Sequence, residues 1–425
     1  MTSLIPFFVY IAIFVGAFYT VRFIAQKTAV QDYTSLKTVT FGDESAVQSN
    51  RAASIVSIVT IFVLWGAFTG SSLMPSFMHA PGPFIGDTTF TYTAQAPDGT
   101  KDDATVHVRV HPADEKPDAI EGALGDGFAK DDALNMIAWR SKLIPVDKND
   151  EITKKDGAKI VAIDGQPIAP GDSVSVGDGK VTLSDKGTPN FVPNKGWQME
   201  PIWLPSPEAV VKRTIEIANQ GYQGSTLWEH LGYSLMRVIV GFFFGALVGI
   251  PLGYAMGLSD WARGWFDPIV EFMRPVPPLA LIPLVIIWAG IGESGKIILL
   301  FLAALWIMAI ASRSGVSGVK ISKVHAAYSL GANKRQIMRY VIVPNSLPEI
   351  FTGARVAMGV CWGTVVAAEL VAAEKGAGKM IVTASKFQNT DIVIMGIILI
   401  GIIGFSIDML MRWAEKFLVP WKGKG

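Results

Sequence analysis

Seven stretches of this chain, at about 4–24, 53–75, 230–257, 264–290, 296–313, 350–372 and 391–411, are apolar over lengths that cross a ~30 Å hydrocarbon core as helices. No other feature constrains the fold as tightly, because a backbone in lipid must satisfy its own polar groups. Half of the residues are apolar and 17% are charged, the composition of a multispanning membrane protein and not of a large soluble enzyme. The single cysteine, Cys361, lies inside an apolar run, which excludes a disulfide framework or a Cys-based metal site. The first window has no basic run before it, and Arg22 comes at its far end, so an anchor with its N-terminus outside is expected in place of a secretory signal.

Lys and Arg orient the spans. Loop 25–52 carries Lys27, Lys37 and Arg51; the loop after 313 carries Lys320, Lys323, Lys334, Arg335 and Arg339; the tail carries Arg412, Lys416, Lys422 and Lys424. Placing all three inside satisfies the positive-inside rule with seven spans and puts residues 76–204 outside the membrane. That segment holds 13 Lys and Arg against 20 Asp and Glu, a net of −7, which leaves +8 for the rest of the chain. An acidic solvated block among basic membrane segments argues against a nucleic-acid partner.

The 76–204 segment reads as mostly β. Thr89–Ala94 and Ala104–Val110 alternate around a Pro97-Asp-Gly99 turn, and a second β region runs from Lys159 through Asp164-Gly165 to Val174–Val176 and Val181–Leu183. Residues 131–143 are expected to be helical. The two β regions resemble halves of bacterial immunoglobulin- or cadherin-like repeats.

Two spans are expected to be broken. Arg274-Pro-Val-Pro-Pro-Leu-Ala-Leu-Ile-Pro283 cannot be regular helix, since each proline removes a donor and clashes with the preceding turn. Gly245, Gly249, Gly253 and Gly257 recur every four residues beside Pro251 and give a smooth face for close helix contact or for a pathway. Arg237, Glu271, Arg274, Glu293, Arg355, Glu369 and Glu374 lie in or near spans, where charge is costly unless paired or wet. Glu271 and Arg274 stand three apart and can pair. Arg355 can snorkel to headgroups.

Between the fifth and sixth windows lies a polar run, His325-Ala-Ala-Tyr-Ser-Leu-Gly331 onward to Pro344, a short amphipathic helix with a glycine break. It resembles the EAA signature of ATP-binding-cassette (ABC) importer permeases: Ala326, Ala327, Gly331 and Pro344 fit the spacing, and His325 stands where the pattern has an acid. An acid there would cap the helix N-terminus, which a His does only when neutral. From Leu204 onward the chain resembles the taurine and aliphatic-sulfonate branch of these permeases, which includes nitrate and bicarbonate members. Leu204–Pro207, Ala255–Leu258, Asp267–Glu271, Arg274–Leu279, Ile291–Glu293, Gly353–Arg355, Trp362, Ala367–Leu370 and Pro420-Trp421 carry the likeness. Members usually have six spans and a short external loop, so the 4–24 anchor and the 76–204 insertion are departures.

The resemblance implies an all-α polytopic core of the type I ABC importer permease fold; the apolar windows raise the count to about seven spans, and the alternating strands add an inserted extracytoplasmic mostly-β, immunoglobulin- or cadherin-like sandwich. Together they give an anchor and loop at 1–52, a first core span at 53–75, the insertion at 76–204, and a permease core at 205–425 with a coupling segment at 312–348. The resemblance further implies a homodimer in the inner membrane that works with two ABC ATPase subunits and a periplasmic substrate-binding protein. ATP and Mg would be held by the ATPase and no cofactor by this chain. His325, Ala326, Ala327, Tyr328, Leu330, Gly331, Ala332 and Pro344 would form the coupling surface: small residues seat the helix in a groove, Tyr328 and Leu330 anchor it, and Gly331 permits the bend. Arg274, Pro277, Trp362 and Glu369 are assigned to the substrate pathway, with structural pairing and packing as the competing reading.

Gly290-Ile-Gly-Glu-Ser-Gly-Lys296 lacks the spacing of a nucleotide-binding loop, so ATP hydrolysis is left to a separate subunit. His107 and His111 share a strand face near Asp114, but Pro112 ends the strand and no third ligand is well spaced for a metal. As a competing reading the insertion is a module that docks a partner protein, favoured over one that captures a free anion because its acidic surface repels anions at long range, or else a brace for the dimer.

Overall fold

The computed structural model describes residues 4–28, 51–112, 115, 117, 118, 120 and 127–421. Lys37, Asp114, Lys422 and Lys424 lie outside them. The chain divides into two compact units, Met1–Glu208 and Ala209–Gly425.

In the first unit, α1 (Leu4–Thr28) packs on α2 (Arg51–Thr69), with Tyr10 meeting Phe68 edge-to-face. The end of α2 is tied to both ends of the insertion. Ala80 N donates to Ala67 O (3.0 Å), Met199 N to Phe68 O (2.8 Å), and the Trp65 indole to Pro205 O (2.8 Å).

The insertion is two sheets around one core. Strands β1 (Gly86–Gln95), β2 (Lys101–His111), β3 (Asp132–Ile137), β5 (Lys159–Ile163) and β6 (Gln166–Pro167) form the first sheet, in the order β3-β2-β1-β5-β6. Strands β4 (Lys142–Leu143), β7 (Ser173–Val176), β8 (Gly179–Leu183) and β9 (Pro189–Pro193) form the second, in the order β4-β9-β8-β7. Alternation sets the inner faces: Ala104, Val106, Val108 and Val110 are buried while Thr105, His107, Arg109 and His111 face away. Phe90 of one sheet stacks on Phe191 of the other at 5.8 Å.

Residues 131–143 correct the expected helix. Asp132–Ile137 instead pairs parallel to β2, from Val106↔Asp132 to His111↔Ile137, and Lys142–Leu143 pairs with β9. A short stretch with Ala, Leu and Met has helical propensity, but the open edge of β2 offers a full ladder, and that tertiary pairing prevails.

The second unit is helical: α3 (Pro207–Gln220), α4 (Leu227–Leu258), α5 (Asp260–Met273), α6 (Ile282–Ala289), α7 (Glu293–Ser317), α8 (Ile321–Ser329), α9 (Lys334–Ile337), α10 (Val343–Ala372), α11 (Ala377–Lys386) and α12 (Thr390–Leu418). Among the described residues, five helices are long and apolar enough to cross a membrane. The pair Asp260–Met273 and Pro278–Ala289, bent by 95°, makes a sixth, and Phe8–Ile24 is a shorter apolar helix. The proline cluster therefore breaks its span as expected.

Helix α4 does not break. It runs unbroken through Pro251, which corrects the second expected interruption, and its glycines serve packing. A Cβ at Gly245 would stand 2.5 Å from Ala304 Cβ, at Gly249 2.7 Å from Leu305 O, and at Gly253 2.4 Å from Ala309 O. Gly241 extends the seam, since a Cβ there would be 2.4 Å from Leu300 Cβ. The backbones of α4 and α7 thus touch along four turns, the approach that small residues permit between apolar helices. Gly253→Ala should destabilise the protein by about 1–3 kcal/mol through overpacking. Gly232→Ala on the same helix, where nothing lies within 4 Å of a Cβ, should be neutral or better. Thermal unfolding of the two variants in detergent reads the difference.

Candidate functional site

Two features stand at opposite ends of α10. The first is the segment from Ile321 to Pro344. Helix α8 ends in a left-handed turn at Gly331 (φ +81°), where Gly331 N donates to Tyr328 O (2.9 Å) and Ala332 N to Ala327 O (3.0 Å). Asn333 and Gln336 then cap each other's backbone N–H groups at 2.8 and 2.9 Å and start α9. A π-helical turn over Met338–Ile342 leads into α10, with Pro344 in its first turn. The wider turn relieves the ring clash that a proline imposes on a tighter helix.

The surface this builds is open. Leu330 is 89% exposed and Tyr328 49%, with His325, Ala326 and Gly331 exposed beside them; Ala327, Ala332 and Pro344 are partly buried. His325 is the fifth residue of α8, whose N-cap is Lys320, so neither an acid nor a His at this position caps the helix. At the base of this surface, Lys323 Nζ donates to Asn345 Oδ1 (2.7 Å) and the Trp421 indole to Pro344 O (3.1 Å), both bonds exposed. Buried Ser346 bonds Tyr254 Oη of α4, and a Cβ at Gly315 of α7 would stand 2.9 Å from Ser346 O.

The second feature is an ion network in which Arg237, 1% exposed, is central. Its Nε and Nη2 hold Glu293 at 2.6 and 2.7 Å, and its Nη1 donates to Glu369 Oε1 (2.7 Å) and Lys375 O (2.8 Å). Fully buried Glu369 also accepts from Ser234 Oγ (2.7 Å) and Gly378 N (2.8 Å). Lys296 Nζ joins Glu293 at 3.0 Å. Gly376 (φ +148°) is required here: a Cβ would fall 2.3 Å from Glu369 Cδ. Twenty-five residues of α10 separate Pro344 from Glu369, about 37 Å at the helical rise.

The other expected residues lie elsewhere. Arg274 is exposed at the bend and meets Glu271 at 3.7 Å, as its spacing suggested, and Pro277 precedes the short turn Pro278–Leu281. Trp362 is buried against α12, its indole donating to Ile400 O (3.0 Å). Arg355 meets Glu415 at 3.4 Å. Sequence reasoning passed over Arg313, which pairs with Asp267 and with Glu271 (2.8 Å) and fastens α7 to α5, and also Lys296 and Ser346. The cations' position inside apolar helices was the available signal. Among the described residues no group of three or more His, Cys, Asp or Glu could hold a metal ion.

Residues 232–419 match the family described as binding-protein-dependent transport system inner membrane component. The chain is 46% identical to the taurine transport system permease protein of Escherichia coli K12, over 53% of this chain and 82% of that one. It is an ABC importer permease of the taurine, sulfonate and nitrate group. The putative aliphatic sulfonates transport permease protein of the same organism is 37% identical (53% and 84% covered), and the nitrate import permease protein of a Synechocystis species 32% (52% and 82%). Members are transport components and not enzymes, and the apolar helices make this permease a multi-pass membrane protein. The insertion lies outside the 232–419 match.

Within the permease, the Arg237 network is a neutralised charge cluster that must be kept whole. Arg237→Met leaves fully buried Glu369 without its cation and should cost about 3–5 kcal/mol. Arg237→Met combined with Glu369→Gln should cost less than Arg237→Met alone, read by thermal unfolding in detergent; additive losses would mean the two side chains are not coupled.

Proposed function

We propose that this permease forms the path for taurine or a related small organosulfonate and is driven by a separate ATPase that grips residues 321–332. The observation that carries the reading is the exposed face of Tyr328 and Leu330 beside small residues and a left-handed glycine, held at its base by Lys323 on Asn345. In the assembly we envisage, two copies of this chain pair with two ABC ATPase subunits, which hold ATP and Mg, and a periplasmic binding protein delivers the cargo. The Lys and Arg distribution supports an inner-membrane placement with 321–344 inside and the insertion in the periplasm. An immunoglobulin- or cadherin-like insertion belongs to the same reading and is supported by its two facing sheets. Arg274, Pro277, Trp362 and Glu369 remain our pathway residues, the last acting with Arg237 as the charged end of α10.

The identity to the taurine system's permease favours sulfonate over the second reading, a permease for nitrate, bicarbonate or another small anion whose insertion docks or binds a partner.

Gly331→Asp places a side chain in left-handed backbone on the docking face. Vesicles carrying the assembled importer should then hydrolyse ATP with uptake reduced at least about tenfold, a loss of about 1.4 kcal/mol of coupling; normal uptake would contradict the coupling role. For the cargo, titrating the binding protein of this importer with taurine, other sulfonates, nitrate and bicarbonate should give saturable binding of a sulfonate. Silence towards every sulfonate would end that assignment.

A further inference from the structure

The insertion contains a cavity of about 370 Å³ that the transport reading does not use. Its volume falls in the range of small-molecule sites. The cavity lies between the sheets: Ala94 and Ile160 line it from one, Leu183 and Pro189 from the other. Its apolar walls carry three carboxylates, Asp147, Asp150 and Asp185, and three ammonium groups, Lys154, Lys159 and Lys186.

Asp150 is fixed in place. Lys130 N donates to its Oδ1 (2.8 Å), and the hydroxyl of Tyr92, a core residue 1% exposed, reaches its two oxygens at 3.2 and 3.3 Å. Behind it, burial first and then the charges of Asp150, Asp131 and Asp147 push the Asp132 carboxyl up to about 7. The lysines are unspent: among the described residues Lys154, Lys159 and Lys186 are in no ion pair, and Lys154 Nζ lies beside Gly187 at the β8–β9 turn.

We infer that this cavity binds a small zwitterion, its ammonium on Asp150 and its sulfonate or carboxylate on Lys154 and Lys186. The lining is balanced in charge within a domain of net −7, which repels a free anion at long range but exerts no net pull on a molecule carrying both signs. A pure cation would leave the lysines facing only water, and a pure anion would leave Asp150 with its two hydrogen-bond donors but no cation. The inference stands on the lining alone and does not depend on what the membrane path carries.

The test is calorimetric titration of the whole chain in lipid nanodiscs, without ATPase or binding protein. The probes are taurine, β-alanine, ethanesulfonate and ethylamine. Saturable binding is expected for taurine or β-alanine, the pair distinguishing sulfonate from carboxylate, and at least about tenfold weaker binding for the two singly charged probes. Asp150→Asn, which keeps an acceptor for Lys130 N, should weaken the zwitterion about tenfold. Should that variant fold poorly, Lys154→Ala with Lys186→Ala changes only exposed side chains and should weaken it as much. No saturable binding of either zwitterion up to roughly 10 mM, ethanesulfonate as tight as taurine, or binding unchanged in both variants would overturn the proposal. Such a failure leaves the transport reading untouched, because the binding-protein titration reads the cargo separately.

Discussion

The backbone contact between α4 and α7 is the constraint on which the permease core depends. Lipid offers no hydrophobic reward for bringing two apolar helices together, so the pair holds through close van der Waals approach. Five glycines from Gly241 to Gly257 provide that approach, and any side chain on the seam would have to push into α7 between Leu300 and Val316. α10 lays its first turn onto this pair through Ser346 and Gly315, and its last turns through Glu369 and Arg237. A rigid two-helix seam with a third helix pinned at both ends can pass a tilt at one end to the other, because a packed helix moves as a body.

The two pinned ends differ in chemistry, and the difference suits their tasks. At Pro344 the contacts are small and mostly uncharged, and the neighbouring surface is exposed. At Glu369 an arginine, two glutamates and a lysine are drawn together, and removing Arg237 or Glu369 would strand the other's buried charge. The first end is open, while the closed end keeps the helices in register.

Much of this was legible beforehand because membrane and β periodicities are strong signals. The apolar windows, the Arg274–Pro283 break and the alternating strands of the insertion all follow from local pattern and from what a backbone tolerates in lipid. The Gly331 turn was legible too, since only a residue without a side chain enters that backbone region freely. What escaped depended on partners far away in sequence. Asp132–Ile137 became a strand because β2 had an open edge, and Pro251 stayed helical within a seam that packing holds straight. Arg313, Lys296 and Ser346 acquire meaning only once Asp267, Glu293 and Tyr254 are brought to them. His325 looked like a lost cap only while the helix start was unknown.

The account as a whole requires that the face around Tyr328 and Leu330 lie on the inner side and be covered by a separate motor. The most direct measurement is maleimide labelling of a cysteine placed at Ser329, an exposed position on α8, in a Cys361→Ser background. The account predicts labelling in inside-out vesicles but not in intact spheroplasts, and protection when the ATPase is bound. Labelling from the outside, or labelling that the ATPase leaves unchanged, would contradict it.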